Sequence, residues 1–408
     1  MDNKVSKLNY KKTFILGFGF FAISLVWPLY NVYVPIFLRD FFNSQFAINS
    51  IMTLDNILAV TLIPIIGSLS DRTSTRFGRR MPYLMVGIPI SALMFILLPN
   101  YSSFLNFMII ITILNFSMAI YRAPTVALMP DITPSHLRSE ANGIINFMGG
   151  LASVFVLIGG SFLYKANKNY PFLGTAILMF LALFILMKFI KEPNNITVEN
   201  TVEKDAKISI ISSLKDICKS KDKTTLYILL AVFFWFVGYQ GVEATFSNYC
   251  VQFLKLPVTK ASFILGFFAL SFLIFAIPAG FVGGKLGKRK TILIGISGDV
   301  IVFILLSLIG TIFPLNQLIM LILMAIGGFF WALININSYP MVVEMTTEEK
   351  IGTYTGLYYF SSSLAAILGP LFLGGLIDLI GFKFMFLFTA LAYAFAWICI
   401  HNTRKQYS

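Results

Sequence analysis

Apolar residues in this chain gather into twelve runs, at 13–38, 51–70, 82–99, 104–129, 141–164 and 170–188, then at 224–253, 261–284, 291–313, 317–343, 352–377 and 382–401. Each is close to the about 20 residues that carry an α-helix across the hydrocarbon core of a bilayer. Strand-like alternation is absent, and backbone groups in lipid must be satisfied within their own segment. The pattern therefore predicts an all-α integral membrane protein of twelve spans, numbered here in chain order. One long polar stretch, rich in Asn, Glu, Asp, Lys and Thr, divides them six and six: a bundle over 1–190, a cytoplasmic linker over 191–223 and a second bundle over 224–408. Within the linker, Ile208, Ile211 and Leu214 of 207–218 stand at helical spacing, which fits a short surface helix or a plain solvated linker equally.

The two sixes repeat. Gly67 and Gly280, Asp131 and Glu344, and Gly143 and Gly356 correspond at a single offset, and a small length difference near Gly78 and Gly287 is made up before the next span. Acidic residues coincide as well as glycines. Duplicated six-helix halves related by an axis along the membrane normal are a plan used by membrane transporters.

Composition agrees: 57% of residues are hydrophobic and 12% charged, against roughly 25% charged in soluble domains. A net charge of +13 in a soluble protein would suggest nucleic acid. With both termini in the cytoplasm, however, 24 of the 31 Lys and Arg residues lie inside, six lie outside, and Arg122 falls within span 4. The positive-inside bias sets that orientation in the cell membrane and accounts for the charge without a nucleic-acid partner. The first apolar run is span-length and lacks a small-residue cleavage site, so no cleavable signal peptide is expected. Cys218, Cys250 and Cys399 fit no metal spacing and are expected to be free thiols. No Walker loop, zinc spacing or G-x-S-x-G is present, and the two histidines, His136 and His401, fall near the cytoplasmic surface. An enzyme, a metal site and a cofactor are therefore not expected.

The loop at 67–80 reads G-S-L-S-D-R-T-S-T-R-F-G-R-R. Gly67 permits close helix approach, Asp71 is a carboxylate at the membrane edge, and Arg72, Arg76, Arg79 and Arg80 surround Gly78 at the headgroups. The stretch at 121–150 reads Y-R-A-P-T-V-A-L-M-P-D-I-T-P-S-H-L-R-S-E-A-N-G-I-I-N-F-M-G-G, and its repeat from Trp331 reads W-A-L-I-N-I-N-S-Y-P-M-V-V-E-M, then G-T-Y-T-G-L-Y-Y-F. Together with W-P-L-Y-N-V-Y-V-P in span 1, these resemble the major facilitator superfamily, in its glycoside-pentoside-hexuronide and sucrose-transporter branch, over essentially the whole chain. The resemblance implies the major facilitator fold, with spans 1, 4, 7 and 10 facing a central cavity. It also implies a gating set of Gly67, Asp71, Arg72, Arg76, Gly78, Arg79, Arg80, Asp131 and Glu344, in which Asp71 meets the positive end of helix 11 near Ile351 and Gly352. In the second half Gly284 stands where Asp71 stands in the first, so the matching latch is degraded.

Four charges lie inside spans: Asp55, Arg122, Glu243 and Asp299. Each costs about 2.5–3.5 kcal/mol on insertion scales and so needs a partner or a use. Arg122, nine residues before Asp131, sits about 13 Å deep, where it can donate to substrate hydroxyls or hold a carboxylate. Asp55 and Glu243 fall in the outer third of their spans. Carboxylates there can load and release a proton as their surroundings change, which makes these two the coupling candidates. Asp299 lies at midplane depth, but span 9 is peripheral in the implied fold, so a structural partner within the second half is expected for it.

Aromatic faces paired with amides and carboxyls are how sugars are held, because the ring offers apolar C–H faces and hydroxyl edges. Trp27 and Asn31, Tyr239 and Glu243, and Trp331 and Asn335 are each spaced i, i+4, and Asn115 and Arg122 i, i+7, so each pair shares a helix face; Asn142 and Asn146 repeat the spacing in span 5. Any one pair also serves as helix–helix glue, but recurrence on four spans points to binding. Two departures narrow the chemistry. Ile63 stands before Pro64 where melibiose-type sodium carriers have an Asp, and Asn115 stands where plant sucrose-proton carriers have one. The sequence thus leads to a monomeric secondary transporter taking up a sugar or glycoside with protons. The alternative is an exporter or uniporter of another solute, with a non-transporting sensor further behind.

Overall fold

The computed structural model describes residues 8–134, 137–192, 217, 223–309, 312, 316–346 and 351–403. Among them, twelve helices are long and apolar enough to cross a membrane. They are α1 (Tyr10–Leu38), α2 (Gln45–Arg72), α3 (Met81–Asn100), α4 (Phe104–Ile132), α5 (Glu140–Ala166), α6 (Tyr170–Phe189), α7 (Thr224–Phe253), α8 (Val258–Leu286), α9 (Lys288–Leu308), α10 (Gln317–Val343), α11 (Gly352–Ile380) and α12 (Phe382–His401). The twelve apolar runs are thus twelve helices. The surface helix considered for 207–218 lies, apart from position 217, outside the described residues.

Helix length carries the repeat a second time. The third and sixth helices of each half, α3, α6, α9 and α12, have 20 or 21 residues, whereas the other eight have 27 to 30. Prolines stand inside several of the long helices, Pro64, Pro124, Pro130, Pro278, Pro340 and Pro370 among them. Spanning helices tolerate them because neighbours can satisfy the freed backbone groups. The Asn49 amide also donates a 2.7 Å hydrogen bond to the Pro370 carbonyl. α2 is two segments, Gln45–Met52 and Leu54–Arg72. They meet at Thr53, whose hydroxyl bonds back to the Ser50 carbonyl at 2.9 Å. Asp55 therefore occupies the first turn of the second segment, where the helix dipole favours a carboxylate.

The chain divides into two compact units, residues 1–30 with 57–197, and residues 31–56 with 198–408. In the first, α3 packs along α4 and α6. Gly87 makes the α3–α4 approach possible, since a Cβ there would lie 2.8 Å from the Tyr121 Cβ. The Ser91 and Ser117 hydroxyls share a 2.7 Å hydrogen bond between the same helices, and the Phe95 and Phe172 rings meet 5.0 Å apart.

In the second unit, α10 packs between α8 and α9, and α7 between α11 and α12, around a core that includes Trp235, Phe246, Phe386 and Tyr393. Residues 31–56 are joined to it by a dense polar network. Asp378 of α11 accepts from the Ser44 hydroxyl at 2.5 Å and from the backbone N–H groups of Gln45 and Phe46 at 2.6 and 3.0 Å. It thereby satisfies donors that the start of a helix leaves without partners. Buried Asn49 donates to Thr245, and buried Asn248 to the Pro35 carbonyl and to Gln45. Gly374 permits the approach, because a Cβ there would lie 2.9 Å from both the Gln45 carbonyl oxygen and the Phe46 Cα. Asp378→Ala should therefore destabilise the protein by about 1 kcal/mol, the scale of a lost helix cap at a partly exposed site. Gly374→Ala should destabilise it too. Thermal melts of the purified protein that match wild type for both variants would show that the segment is held by other contacts.

Candidate functional site

The basic loop between α2 and α3 is an ion-paired hub. Arg79 grips Asp131 with two hydrogen bonds, at 3.1 and 2.6 Å, and Arg80 reaches the same carboxylate at 2.8 Å. Buried Arg80 also bonds Ser70 and pairs with Asp71. Burial is the largest influence on the Arg80 guanidinium and works against its charge; Asp131 and Asp71 outweigh it and hold its pKa above the ordinary arginine value. Arg72 and Arg76 are exposed, Arg76 lying over the Phe77 ring. Gly78 has φ +101°, and a Cβ there would fall 2.5 Å from the Glu192 carboxyl carbon, so both backbone and space call for glycine. The Glu192 carboxylate accepts the N–H groups of Arg79, Arg80 and Met81 at 2.7 to 3.0 Å and so caps α3. Gly67 has open space where a side chain would stand. In the second unit Lys288, which follows Gly287 as Arg79 follows Gly78, pairs with Glu344, so this ion pair is present in both halves. Its neighbour Arg289 turns instead to Thr403 and the His401 carbonyl.

The residues with sugar-binding chemistry form one cluster in each unit. In the first, Trp27 meets Tyr30 edge-on at 5.6 Å, and the Tyr30 hydroxyl accepts a 3.3 Å hydrogen bond from the Asn115 amide. The Trp27 indole N–H and the Asn115 carbonyl oxygen are buried and bond no described residue. Arg122 is half-buried two turns further along α4. In the second unit Tyr239 and Trp331 stack face to face, 4.4 Å apart and 5° from parallel. One turn along α7 from Tyr239, Glu243 accepts a 3.1 Å hydrogen bond from the Asn31 amide. Asn335 is half-buried on α10, one turn from Trp331. Asn142 and Asn146 bond each other along an exposed face of α5.

The two coupling candidates differ in their surroundings. Asp55 accepts from the side chain of adjacent Asn56 at 2.9 Å and stands in a helix's first turn, whereas Glu243 is engaged by an amide from another helix. Asp299 departs from expectation: it is 1% exposed, yet neither oxygen accepts a hydrogen bond from a described residue. The α10 surface it faces is Gly327 amid hydrophobic side chains, which supplies no donor.

Sequence reasoning passed over several functional neighbours. Tyr30 could have been found, standing three residues after Trp27 in the quoted motif. Glu192 is the second residue of the linker at 191–223, and nothing in its local pattern marks it as the cap of a helix 111 residues earlier. Gln45, Asn49, Asn248 and Asp378 sit at helix ends, where polar residues attract no notice.

The sequence profile of the Major Facilitator Superfamily matches residues 16–312 and 251–406. The class H tetracycline resistance protein of Pasteurella multocida is 26% identical over 376 residues, which cover 86% of this chain and 84% of that protein. Among solved structures, the nucleoside transporter NupG is similar with a TM-score of 0.75 and 15% identity, over 97% of this chain and 99% of that one. A D-xylose-proton symporter is similar with a TM-score of 0.68 and 15% identity, over 96% and 95%; at such identity the likeness is one of fold. With twelve spans, a duplicated ion-paired loop and a profile match along nearly its whole length, the chain belongs to the major facilitator superfamily, whose members are membrane transporters and not enzymes.

Proposed function

We propose that this protein takes up a sugar or glycoside with protons by alternating access, as a monomer in the cell membrane with both termini in the cytoplasm, and that it falls in the glycoside-pentoside-hexuronide and sucrose-transporter branch. The observation that carries the reading is the second-unit cluster, where the parallel Tyr239–Trp331 pair lies one helical turn from the Asn31–Glu243 pair. A flat aromatic surface beside an amide and a carboxyl matches the alternating apolar faces and hydroxyl edges of a sugar ring. Trp27, Tyr30 and Asn115 offer the same combination in the first unit. Proton coupling is favoured over sodium because Ile63 stands where melibiose-type sodium carriers have an Asp, while Asp55 and Glu243 are carboxylates within the spans. A D-xylose-proton symporter among the fold neighbours is consistent with this chemistry.

A second reading is export of another solute, and the similarity to a tetracycline resistance protein along 86% of the chain favours it. Fold does not decide between them. Thermal stabilisation of the purified protein across a panel of sugars, glycosides, nucleosides and tetracycline separates the two, since a ligand raises the melting point only if the folded state binds it. A shift with tetracycline alone would end the sugar reading.

Three further outcomes are expected. Arg122→Gln should lower uptake roughly tenfold or more, as loss of charge-assisted hydrogen bonds worth about 1.5–3 kcal/mol implies, with membrane expression near wild type; undiminished transport removes the assignment. In the gate that the family resemblance implies, Asp71→Asn loses the pairing with Arg80 and the charge that such a gate sets against a helix N-terminus. Cysteine labelling from the cytoplasmic side of the cavity should rise, and equal labelling in both proteins would leave the loop a topological role alone. Glu243→Gln or Asp55→Asn should abolish accumulation driven by a pH gradient while preserving substrate exchange, because exchange needs binding and rocking without net proton release. Glu243 is favoured for its place on α7. Full proton-driven accumulation in both variants refutes coupling at these two acids.

A further inference from the structure

Asp299 stands in the middle of α9, a helix packed between α10 and α12 and touched by α8. A Cβ built on Gly327 of α10 would be 3.6 Å from the Asp299 Oδ1, 3.6 Å from Val302 and 3.7 Å from Phe268. The carboxyl therefore lies against a bare stretch of helix with an aliphatic and an aromatic side chain beside it, while the Phe330 ring covers neighbouring Gly298. A position with these neighbours gains nothing structural from a carboxylate, since neither oxygen finds a donor among the described residues.

The titratable and charged groups around it are few. α10 carries no Asp, Glu, Lys, Arg or His, and its one tyrosine, Tyr339, bonds Thr355 far along the helix. α8 has Lys260 and Lys285 near its two ends, and α9 has Lys288, Arg289 and Lys290 in its first turn. On α12, Lys383, Cys399 and His401 lie toward the ends, and Tyr393 is the group that interacts electrostatically with Asp299. Tyr393 in turn lies 6.4 Å from Trp331, ring to ring, and Trp331 is stacked on Tyr239. Tyr239 also interacts with Tyr393 and with Glu243. Tyr393, Trp331 and Tyr239 thus form a row of rings, with Asp299 acting electrostatically at one end and Glu243 at the other.

We propose that Asp299 is a second proton-binding site, set in the scaffold of the second unit, and that its charge acts on the binding cluster through Tyr393, Trp331 and Tyr239. A proton passes from water to the carboxylate, leaving a neutral acid that packs against Gly327 without a counter-ion; its release leaves a negative charge beside Tyr393. The proposal rests on the proton-coupled reading above for its role in transport, but the site itself can be tested without it.

The test is Asp299→Asn in the full-length protein, which keeps size and shape. Infrared difference spectra of wild type against the variant should contain a protonated-carboxyl stretch that the variant lacks, and the variant should melt near the wild-type temperature, because a neutral amide replaces a neutral acid of the same shape. In proteoliposomes it should retain substrate exchange, but the pH dependence of exchange and of gradient-driven uptake should flatten by about tenfold across the range in which wild type responds. Absence of any Asp299-dependent carboxyl band over the accessible pH range overturns the site. A band that disappears while both pH profiles stay as in wild type overturns its link to the binding cluster. A lower melting point with lost exchange marks Asp299 as a packing residue and also overturns the proposal. If wild type shows no uptake under any pH gradient, proton coupling fails as a function, and the infrared comparison still decides the site.

Discussion

The absence of a competing hydrogen-bonding solvent in the hydrocarbon core governs this protein. Every backbone amide in a span needs a partner inside the protein, so twelve apolar runs become twelve helices, and the polar side chains within them are useful only where they meet one another or a freed carbonyl. The N–H groups of three buried amides follow this rule. Asn337 donates to the Ala279 and Leu333 carbonyls, Asn49 to Thr245 and Pro370, and Asn248 to Pro35 and Gln45. Asn31 spends its amide on Glu243. Asp299 differs from these in that both of its side-chain oxygens are buried and accept from no described residue.

The same constraint explains what was legible in the sequence. Span number, helix type and duplication follow from apolar run length and recurring small and acidic residues, because lipid leaves few alternatives. The i, i+4 pairs were also legible, and Tyr239 with Trp331 and Asn31 with Glu243 do meet within one unit. Side-chain partners across helices were not. Glu192 caps α3 from the far end of the first unit and Asp378 caps the start of α2. Both depend on how distant helix ends come together, which no local period encodes. The structural partner expected for Asp299 is not found as a hydrogen bond among the described residues, for a related reason: depth can be counted along a helix, but the identity of the facing surface, here Gly327 with Val302 and Phe268 beside it, cannot.

The two halves have kept the repeat unevenly. The Arg79–Asp131 pair has its counterpart in Lys288–Glu344, yet Arg80 and Arg289, each the next residue, have separate partners. Asp71 has only Gly284 opposite it in the repeat. The ion pair that fixes the loop to the following helix is therefore common to both halves. The extra carboxylate, 57% exposed and paired with Arg80, belongs to the first alone. A carrier whose halves differ in this way is not bound to treat its two faces alike.

The four short helices have a mechanical consequence. At about 1.5 Å per residue, α3, α6, α9 and α12 are roughly 30 Å long, equal to the hydrocarbon thickness, whereas the other eight exceed it by about 10 Å or more. The short ones can stand upright with no mismatch, but the long ones must tilt or project into the headgroups. Thinning or thickening the surrounding membrane therefore loads the two classes differently, pressing on the long helices while the short four hold their depth. Lipid chain length becomes an input to this protein in its own right, acting directly on the long helices that carry Trp27, Asn115, Glu243 and Trp331.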